Sequence, residues 1–326
     1  MKEKRIRINV FTYNAAIGAL AKSSRRNHLR SSSGLDEEEL WKKALILVEE
    51  IKKQGLKPDT FTYSSAIDVC GNGGRWQEAL SLMNQMKASN DAKTRPNKVA
   101  YTAAITACSR VGRWEDARNL FHDMKNTGIT PDLISYNALL SSFLHGNKPD
   151  LAYEVWEEVC ANENITPDII TLTNVIGALD RTNQDRKLMD NVFLKAVELR
   201  LVMKEHEYSL DTTWEVDLSG MSTSLARAAC RYIAERACKA VLEGHDDVQD
   251  LTLITGCRGP YQELMTERKQ HQNRKDSKGG IREYIQESLR DDFEPPLLTV
   301  VPDDELGTVV VKMNVMRRWV NARKLS

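Results

Sequence analysis

A tract of proline, an acid or amide, two variable residues, threonine or a near equivalent, tyrosine and a small polar residue returns about every 35 positions through the first half of the chain, and no other feature restricts its fold as tightly. The clearest copies are Pro58 to Ser64, Pro96 to Thr102 and Pro131 to Asn137; a fourth, Pro167 to Thr173, keeps the frame and loses the tyrosine. Counted from the residue after the acid or amide, Lys98 to Asp132 is 35 residues, Leu133 to Asp168 is 36 and Thr60 to Asn97 is 38. The unit beginning at Val10 runs to Asp59, 50 residues. Its excess sits in 23–40, a Ser/Arg stretch followed by an acidic one whose composition predicts a solvated loop between two helices. With that insertion removed, Ala44, Ala79, Ala117 and Ala152 share one position of the unit, and Val48, Met83, Phe121 and Trp156 another. Repeats of this period form solenoids, in which no unit buries its apolar face alone.

Each unit reads as a helical hairpin. In Lys98 to Asp132, Tyr101, Ile105 and Cys108 fall at helical spacing, Val111-Gly112-Arg113 interrupts, and Ala117, Leu120, Phe121 and Met124 resume the pattern. The Gly128 to Pro131 tract ends the second helix, because glycine accepts a left-handed C-terminal conformation and proline disfavours helix in the residue before it. Cys70 and Cys108 occupy the same position of consecutive first helices and read as core. The six cysteines show no CxxC spacing, which argues against a zinc site or a disulfide framework.

Helical pairs of this length occur in protein-binding tetratricopeptide arrays and in RNA-binding pentatricopeptide arrays. The period lies nearer 35 than 34, the Trp/Leu-Gly/Tyr signature of the first kind is absent, and the Thr-Tyr-Asn or Thr-Tyr-Ser opening of the first helix closely resembles the pentatricopeptide family. That resemblance implies a right-handed all-α superhelix that reads single-stranded RNA at one base per repeat, through the fifth residue of a unit and its last. The implied pairs are Asn14 with Asp59, Ser64 with Asn97, Thr102 with Asp132, and Asn137 with Asp168. Short hydroxyl and amide side chains suit base edges because they differ in donor and acceptor pattern. By the family's pairing rules they prefer U, A, G and U, giving a core target of 5′-UAGU-3′. Phe11, Phe61, Val99 and Ile134, each the second residue of its unit, are implied to wedge between bases, with Ile170 as a further wall. The plainer reading of the Asn, Ser and Thr positions is that they cap helices. No cofactor is needed for such binding.

The rhythm changes in the second half. One more hairpin, lacking the alanine and proline markers, is drawn over 169–205 as a degenerate cap of the solenoid. From 213 to 326 the pattern runs strand, helix, strand, helix, strand, strand, helix, a small α/β domain with a polar, basic insertion at 261–278. That order and its two glycine-bearing strand ends resemble the Smr (small MutS-related) domain, which is often fused behind pentatricopeptide repeats. The family's first strand ends in Leu-Asp-x-His-Gly and its second in Thr-Gly-x-Gly. Here Val216-Asp217-Leu218-Ser219-Gly220 puts serine at the histidine, and Thr255-Gly256-Cys257-Arg258-Gly259 puts arginine at the second glycine, unless a one-residue insertion brings Gly259 into that role. Serine cannot exchange a proton near neutral pH as histidine does, so nuclease activity is doubtful. Asp217 is the candidate catalytic or Mg-binding residue and Arg258 the candidate phosphate contact.

With 46 basic and 46 acidic residues the formal net charge is zero, so RNA affinity has to come from a local surface and base contacts. No run is apolar and long enough to span a bilayer, and no transit peptide is visible. Residues 1–9 read as the remnant of a preceding repeat, with Asn9 in the place of a unit's last residue. The family resemblance implies a chloroplast or mitochondrial RNA-binding protein acting in RNA processing, stabilisation or expression. The alternatives are a site-directed ribonuclease using the second domain and a protein-protein scaffold.

Overall fold

A computed structural model describes residues 9–30, 35–89, 91–181, 186–202, 214–218, 221–243, 249–255, 281–294, 296–301 and 308–324. The chain divides into two compact units, residues 1–166 and 167–326. In the first unit the described helices are α1 (Val10–Arg30), α2 (Leu35–Lys53), α3 (Thr60–Asn72), α4 (Trp76–Ala88), α5 (Lys98–Arg110), α6 (Trp114–Asn126), α7 (Leu133–His145) and α8 (Pro149–Ala161), with a short 3-10 turn at Ala92–Thr94. First helices pack on one another in sequence, α1 on α3, α3 on α5 and α5 on α7, and each second helix packs on its own first helix. The equivalent alanines Ala44, Ala79, Ala117 and Ala152 of the second helices are wholly buried, and Val48, Met83, Phe121 and Trp156, one turn on, are buried with them.

Each first helix starts at an acid or amide whose side chain accepts from the backbone N–H three residues on: Asp59 from Thr62, Asn97 from Ala100 and Asp132 from Ser135. The second helices start differently. Arg75, Arg113 and Lys148 hold their N-cap positions without a side-chain cap. Their cationic groups lie instead over Trp41, Trp76 and Trp114 of the preceding second helix, each 4.7 Å from the ring centroid. Such contacts contribute about 0.5–1 kcal/mol at exposed sites, so together they brace one repeat against the next. The turn between the two helices of a repeat needs a positive φ, supplied by Gly74 and Gly112 and, at the third copy, by Asn147. Tyrosines add a second brace: Tyr101 donates to Asp123 of α6 and Tyr136 to Glu158 of α8, while Lys87 and Lys125 of the preceding second helices pair with the same two carboxylates. Burial and the Asp123 carboxylate push the Tyr101 phenol up to about 12.

The 23–40 insertion departs from expectation. Instead of a loop it lengthens two helices, α1 to Arg30 and α2 back to Leu35. The apolar contacts flank it: Leu20 before the segment, Leu40 at its end and Trp41 after it pack against Ala21, Ala44 and Val69. Arg25 also reaches Asp68 of α3 at 2.9 Å, and the Leu, Glu and Lys of Leu35–Lys53 are strong helix formers. Cys70 and Cys108 are wholly buried in α3 and α5, and burial pushes both thiols up to about 12, as core packing demands.

The second unit contains α9 (Ile169–Asp180), α10 (Arg186–Glu198), β1 (Glu215–Asp217), α11 (Thr223–Leu242), β2 (Leu251–Ile254), α12 (Ile281–Asp291), β3 (Thr299–Val300), β4 (Thr308–Val311) and α13 (Met313–Lys324). The strand order is β1-β2-β4-β3, with β1 parallel to β2 and the other pairs antiparallel. This is the order of elements read from the sequence, with shorter strands. β4 is buried along its whole length, and α11, rich in alanine, is its central helix, packed by α9, α10, α12 and α13.

The α9–α10 hairpin, drawn from the sequence as the solenoid's cap, is joined to this α/β unit by a charge network that the sequence does not display. Asp292, its carboxylate fully buried, accepts from Arg227 at 2.7 and 2.9 Å, from Ser288 at 2.6 Å and from Arg231 at 3.3 Å. Arg231 also reaches Asp190 of α10 at 2.6 Å, and Asp180 of α9 accepts from Arg227 at 3.3 Å and from Tyr284 at 2.8 Å. Burial acts to raise the Asp292 pKa, but the hydrogen bonds from Arg227 and Ser288 outweigh it and hold the group at about 2.

Two outcomes follow for stability. A Cβ built on Gly71 lies 2.8 Å from Ala107 Cβ, so Gly71→Ala forces α3 and α5 apart and is expected to cost about 1–3 kcal/mol in urea unfolding followed by circular dichroism. Asp292→Ala removes the buried carboxylate that Arg227 and Arg231 share, leaving each with one acidic partner, and is expected to cost about 3–5 kcal/mol. Because its folded pKa lies below the unfolded value near 3.9, the Asp292 carboxylate stabilises fully above about pH 4, and that contribution is lost as pH falls toward 2. Unfolding of Asp292→Asn measured from pH 7 to 2 should lack this part of the acid dependence.

Candidate nucleic-acid interface

The second residue of each first helix has an apolar side chain turned to solvent. Phe11 is 79% exposed, Phe61 55%, Val99 62%, Ile134 68% and, in the second unit, Ile170 56%. Isolated exposed hydrophobics are ordinary, but five at one position of a repeat form a pattern. The fifth residues Asn14, Ser64, Thr102, Asn137 and Thr173 come three positions later, one turn along the same helix face. Phe61 lies against α1, and a Cβ on Gly18 would be 3.6 Å from its ring. Within the first unit the apolar side chains therefore alternate with small polar ones along the stacked first helices.

The last residues, and not the fifth ones, are the helix caps. Asp59, Asn97, Asp132 and Asp168 each cap the helix that follows, and Asn9 does the same for α1 through the Thr12 N–H at 3.0 Å. Capping thus accounts for an acid or amide at this position by itself. It does not account for the contacts some of them make with the fifth residue of the repeat before. Asn14 Nδ2 donates to both oxygens of Asp59 at 3.0 and 3.1 Å. Thr102 meets Asp132 through Ser135: the two hydroxyls are 2.8 Å apart, and Ser135 donates to Asp132 Oδ1 at 2.9 Å. Ser64 turns its hydroxyl back to the Thr60 carbonyl at 2.7 Å, while Asn97 Oδ1 accepts from the Ala100 N–H at 3.0 Å. Asn137 belongs to the first unit and Asp168 to the second, where Asp168 and Thr171 form a reciprocal capping box.

The third residues of the repeats, Thr62 and Ser135, were not singled out by sequence reasoning. Both are fully buried and both touch a predicted reading residue. The signal lay in the repeat alignment, where Thr62, Ser135 and Thr171 stand against Ala100. Near them, Lys98 pairs with Asp132 at 3.4 Å. Burial acts to raise the Asp132 pKa, but the N–H and hydroxyl of Ser135 together with Lys98 hold it below the usual carboxylate value.

In the second unit Asp217 ends β1, paired with Ile254 of β2, and is exposed. The parallel pairing brings the C-terminal ends of β1 and β2 side by side, the usual location of ligand sites in open α/β sheets. Ser219, Arg258 and the 261–278 insertion lie outside the described residues. Among the described residues no three His, Cys, Asp or Glu side chains converge, so the donor set on view is too small for a divalent cation. No described helix is long and apolar enough to cross a membrane.

Comparison with known proteins bears on the repeats. Residues 54–87 and 134–162 match models described as PPR repeat, and residues 96–145 match one described as PPR repeat family. Over 93 residues, 28% of the chain, the sequence is 33% identical to a pentatricopeptide repeat-containing protein of Arabidopsis thaliana, a stretch that spans 24% of that relative's length. Among solved structures, the chain is similar to the pentatricopeptide repeat protein PPR10 in complex with an 18-nt psaJ RNA element, at 22% identity and a TM-score of 0.47, covering 89% of this chain and 39% of that one. It is also similar to the PPR domain of Arabidopsis thaliana protein-only RNase P 1 in complex with tRNA, at 20% identity and a TM-score of 0.43, covering 57% of this chain and 94% of that one.

Replacing the Asp132 cap tests the local energetics. Asp132→Ala is expected to cost about 1 kcal/mol at pH 7. Asp132→Asn should cost less, since an amide oxygen still accepts the Ser135 N–H. As the folded pKa of Asp132 is depressed, the carboxylate's advantage over the amide is present above the unfolded pKa near 3.9 and vanishes as pH falls below it. Urea unfolding of the two variants at pH 7 and pH 3 reads both effects.

Proposed function

We propose that this chain, which carries pentatricopeptide repeats over residues 54–87 and 96–162, binds single-stranded RNA and reads it one base per repeat. The observation that carries the reading is the alternation, on one face of the stacked first helices, of exposed apolar residues with polar pairs one helical turn away. The apolar residues Phe11, Phe61, Val99 and Ile134, with Ile170 beyond them, offer stacking surfaces that tolerate any base, at roughly 1–3 kcal/mol per base. The pairs Asn14/Asp59, Ser64/Asn97, Thr102/Asp132 and Asn137/Asp168 supply the base-edge contacts, with 5′-UAGU-3′ as the core target. The similar PPR10 and RNase P chains are described as bound to RNA. With four such sites, association costs leave an affinity of about micromolar order. The role that fits is RNA processing, stabilisation or expression in chloroplast or mitochondrion.

A second reading gives the α/β unit a part in RNA cleavage. It is favoured by the position of Asp217 at the C-terminal end of β1, beside the end of β2. Asp217 is then the reacting or cation-binding carboxylate and Arg258 a phosphate contact. Mg-dependent shortening of a bound oligonucleotide that disappears in Asp217→Ala would support this role, and an intact oligonucleotide would remove it.

The main reading is tested by fluorescence anisotropy with labelled RNA containing UAGU against a UGAU permutation, at two salt concentrations. Preference for UAGU is expected, and Asn97→Asp should shift it toward UGGU. Equal or absent binding of both RNAs, with a protein partner recovered instead, would favour a scaffold.

A further inference from the structure

Two buried hydroxyls join the fifth residue of one repeat to the last residue of the same unit. Thr62 and Ser135, each the third residue of the repeat that follows, are 0% exposed, so neither can reach a bound base itself. We propose that this third-position hydroxyl is a positioning residue: it fixes the donor and acceptor state of the preceding repeat's fifth residue and so sets how sharply that repeat discriminates its base. The inference rests on the base-reading proposal above.

The argument is a count of protons. Ser135 Oγ stands 2.9 Å from Asp132 Oδ1 and 2.8 Å from Thr102 Oγ1. An ionised carboxylate only accepts, so the single Ser135 proton goes to Asp132. Thr102 must then donate its own proton to Ser135. The lone pairs left on the open side of Thr102 can only accept, which suits the N–H donors on the Watson–Crick edge of guanine and opposes the bare N1 of adenine. At the first site Thr62 Oγ1 accepts from the Asp59 N–H at 3.2 Å and lies 2.5 Å from Asn14 Oδ1, against 2.9 Å from Asp59 Oδ1. Both oxygens only accept, so the single Thr62 proton is shared between them. The Asn14 carboxamide is thereby held with its oxygen on Thr62 and its nitrogen on Asp59, and its flip is fixed.

The repeat between them is an internal control. Ala100 takes the third position, Ser64 bonds its own helix backbone, and Asn97 caps through the Ala100 N–H. Thr62 and Ser135 stand beside the carboxylates Asp59 and Asp132, and Ala100 stands beside the amide Asn97; at the chain's first helix Thr12 stands beside the amide Asn9 and donates to its Oδ1. Selectivity at the first and third bases therefore depends on the third-position hydroxyl, and selectivity at the second base does not.

The test measures Kd by anisotropy for UAGU, for CAGU (first base changed), for UGGU (second base changed) and for UAAU (third base changed). Losing one hydrogen-bond constraint is worth a factor of roughly five. Ser135→Ala is expected to shrink the UAAU/UAGU ratio by about that factor and to leave the UGGU/UAGU ratio unchanged, while Ser135→Thr keeps both. Thr62→Val, which preserves shape, is expected to shrink the CAGU/UAGU ratio in the same way, so that one variant failing to fold leaves the other as the test. Equal weakening on all RNAs, or ratios unchanged, would show a structural role and overturn the inference while the base-reading proposal stands. Absence of any base preference in the unaltered chain would sink both.

Discussion

Everything in the first unit hangs on one short contact: a carboxylate or amide oxygen accepting the N–H three residues into the next helix. It starts each first helix, fixes where the preceding unit ends, and does so at Asp59, Asn97 and Asp132 in turn. The neighbouring contacts are referred to it. Proline before the cap keeps the approach extended, the exposed second residue follows at the first turn, and at Asp59 the fifth residue of the unit, Asn14, comes within hydrogen-bond reach of the same oxygen atoms. A capping interaction worth about 1 kcal/mol thus doubles as the frame of the candidate reading site.

The second unit depends on a different constraint, a buried carboxylate shared by three arginines, Arg186, Arg227 and Arg231. Asp292 gathers Arg227 and Arg231, and through them Asp180 and Asp190 of the α9–α10 hairpin, into the α/β layer. Desolvating several charges is costly, and only their mutual satisfaction offsets it. Such a network specifies which helices meet more than it adds to stability, which suits a hairpin whose sequence has lost the markers of its predecessors.

The fold was legible where periodicity was strong. Alanine, proline and tyrosine recurring in register revealed the hairpins, and the order of strands and helices after residue 213 was readable from apolar runs. The helical extensions at 23–40 were not, because the Ser- and Arg-rich composition reads as loop, while the contacts that anchor the segment, Arg25 with Asp68 and Leu40 in the cluster around Val69, involve residues far away in the chain. The attachment of α9 and α10 escaped for a similar reason: Asp180, Asp190, Arg227 and Asp292 are far apart in the chain and carry no local signature. At the candidate site the second, fifth and last positions could be read from the period. The part of Thr62 and Ser135 could not, since a hydroxyl at the third helical position looks like half of a capping box until its neighbour in the adjacent repeat is seen.

Gly71 shows what the spacing of the layer demands. Ala107 sits so close to it that a single methyl group would not fit without movement of α3 or α5. Neighbouring first helices also carry neighbouring polar pairs, so on the proposed reading the distance between helix axes is the step length with which a bound strand would climb. On that reading, one missing side chain inside the stack would act as a gauge for the rise between consecutive bases on its outside.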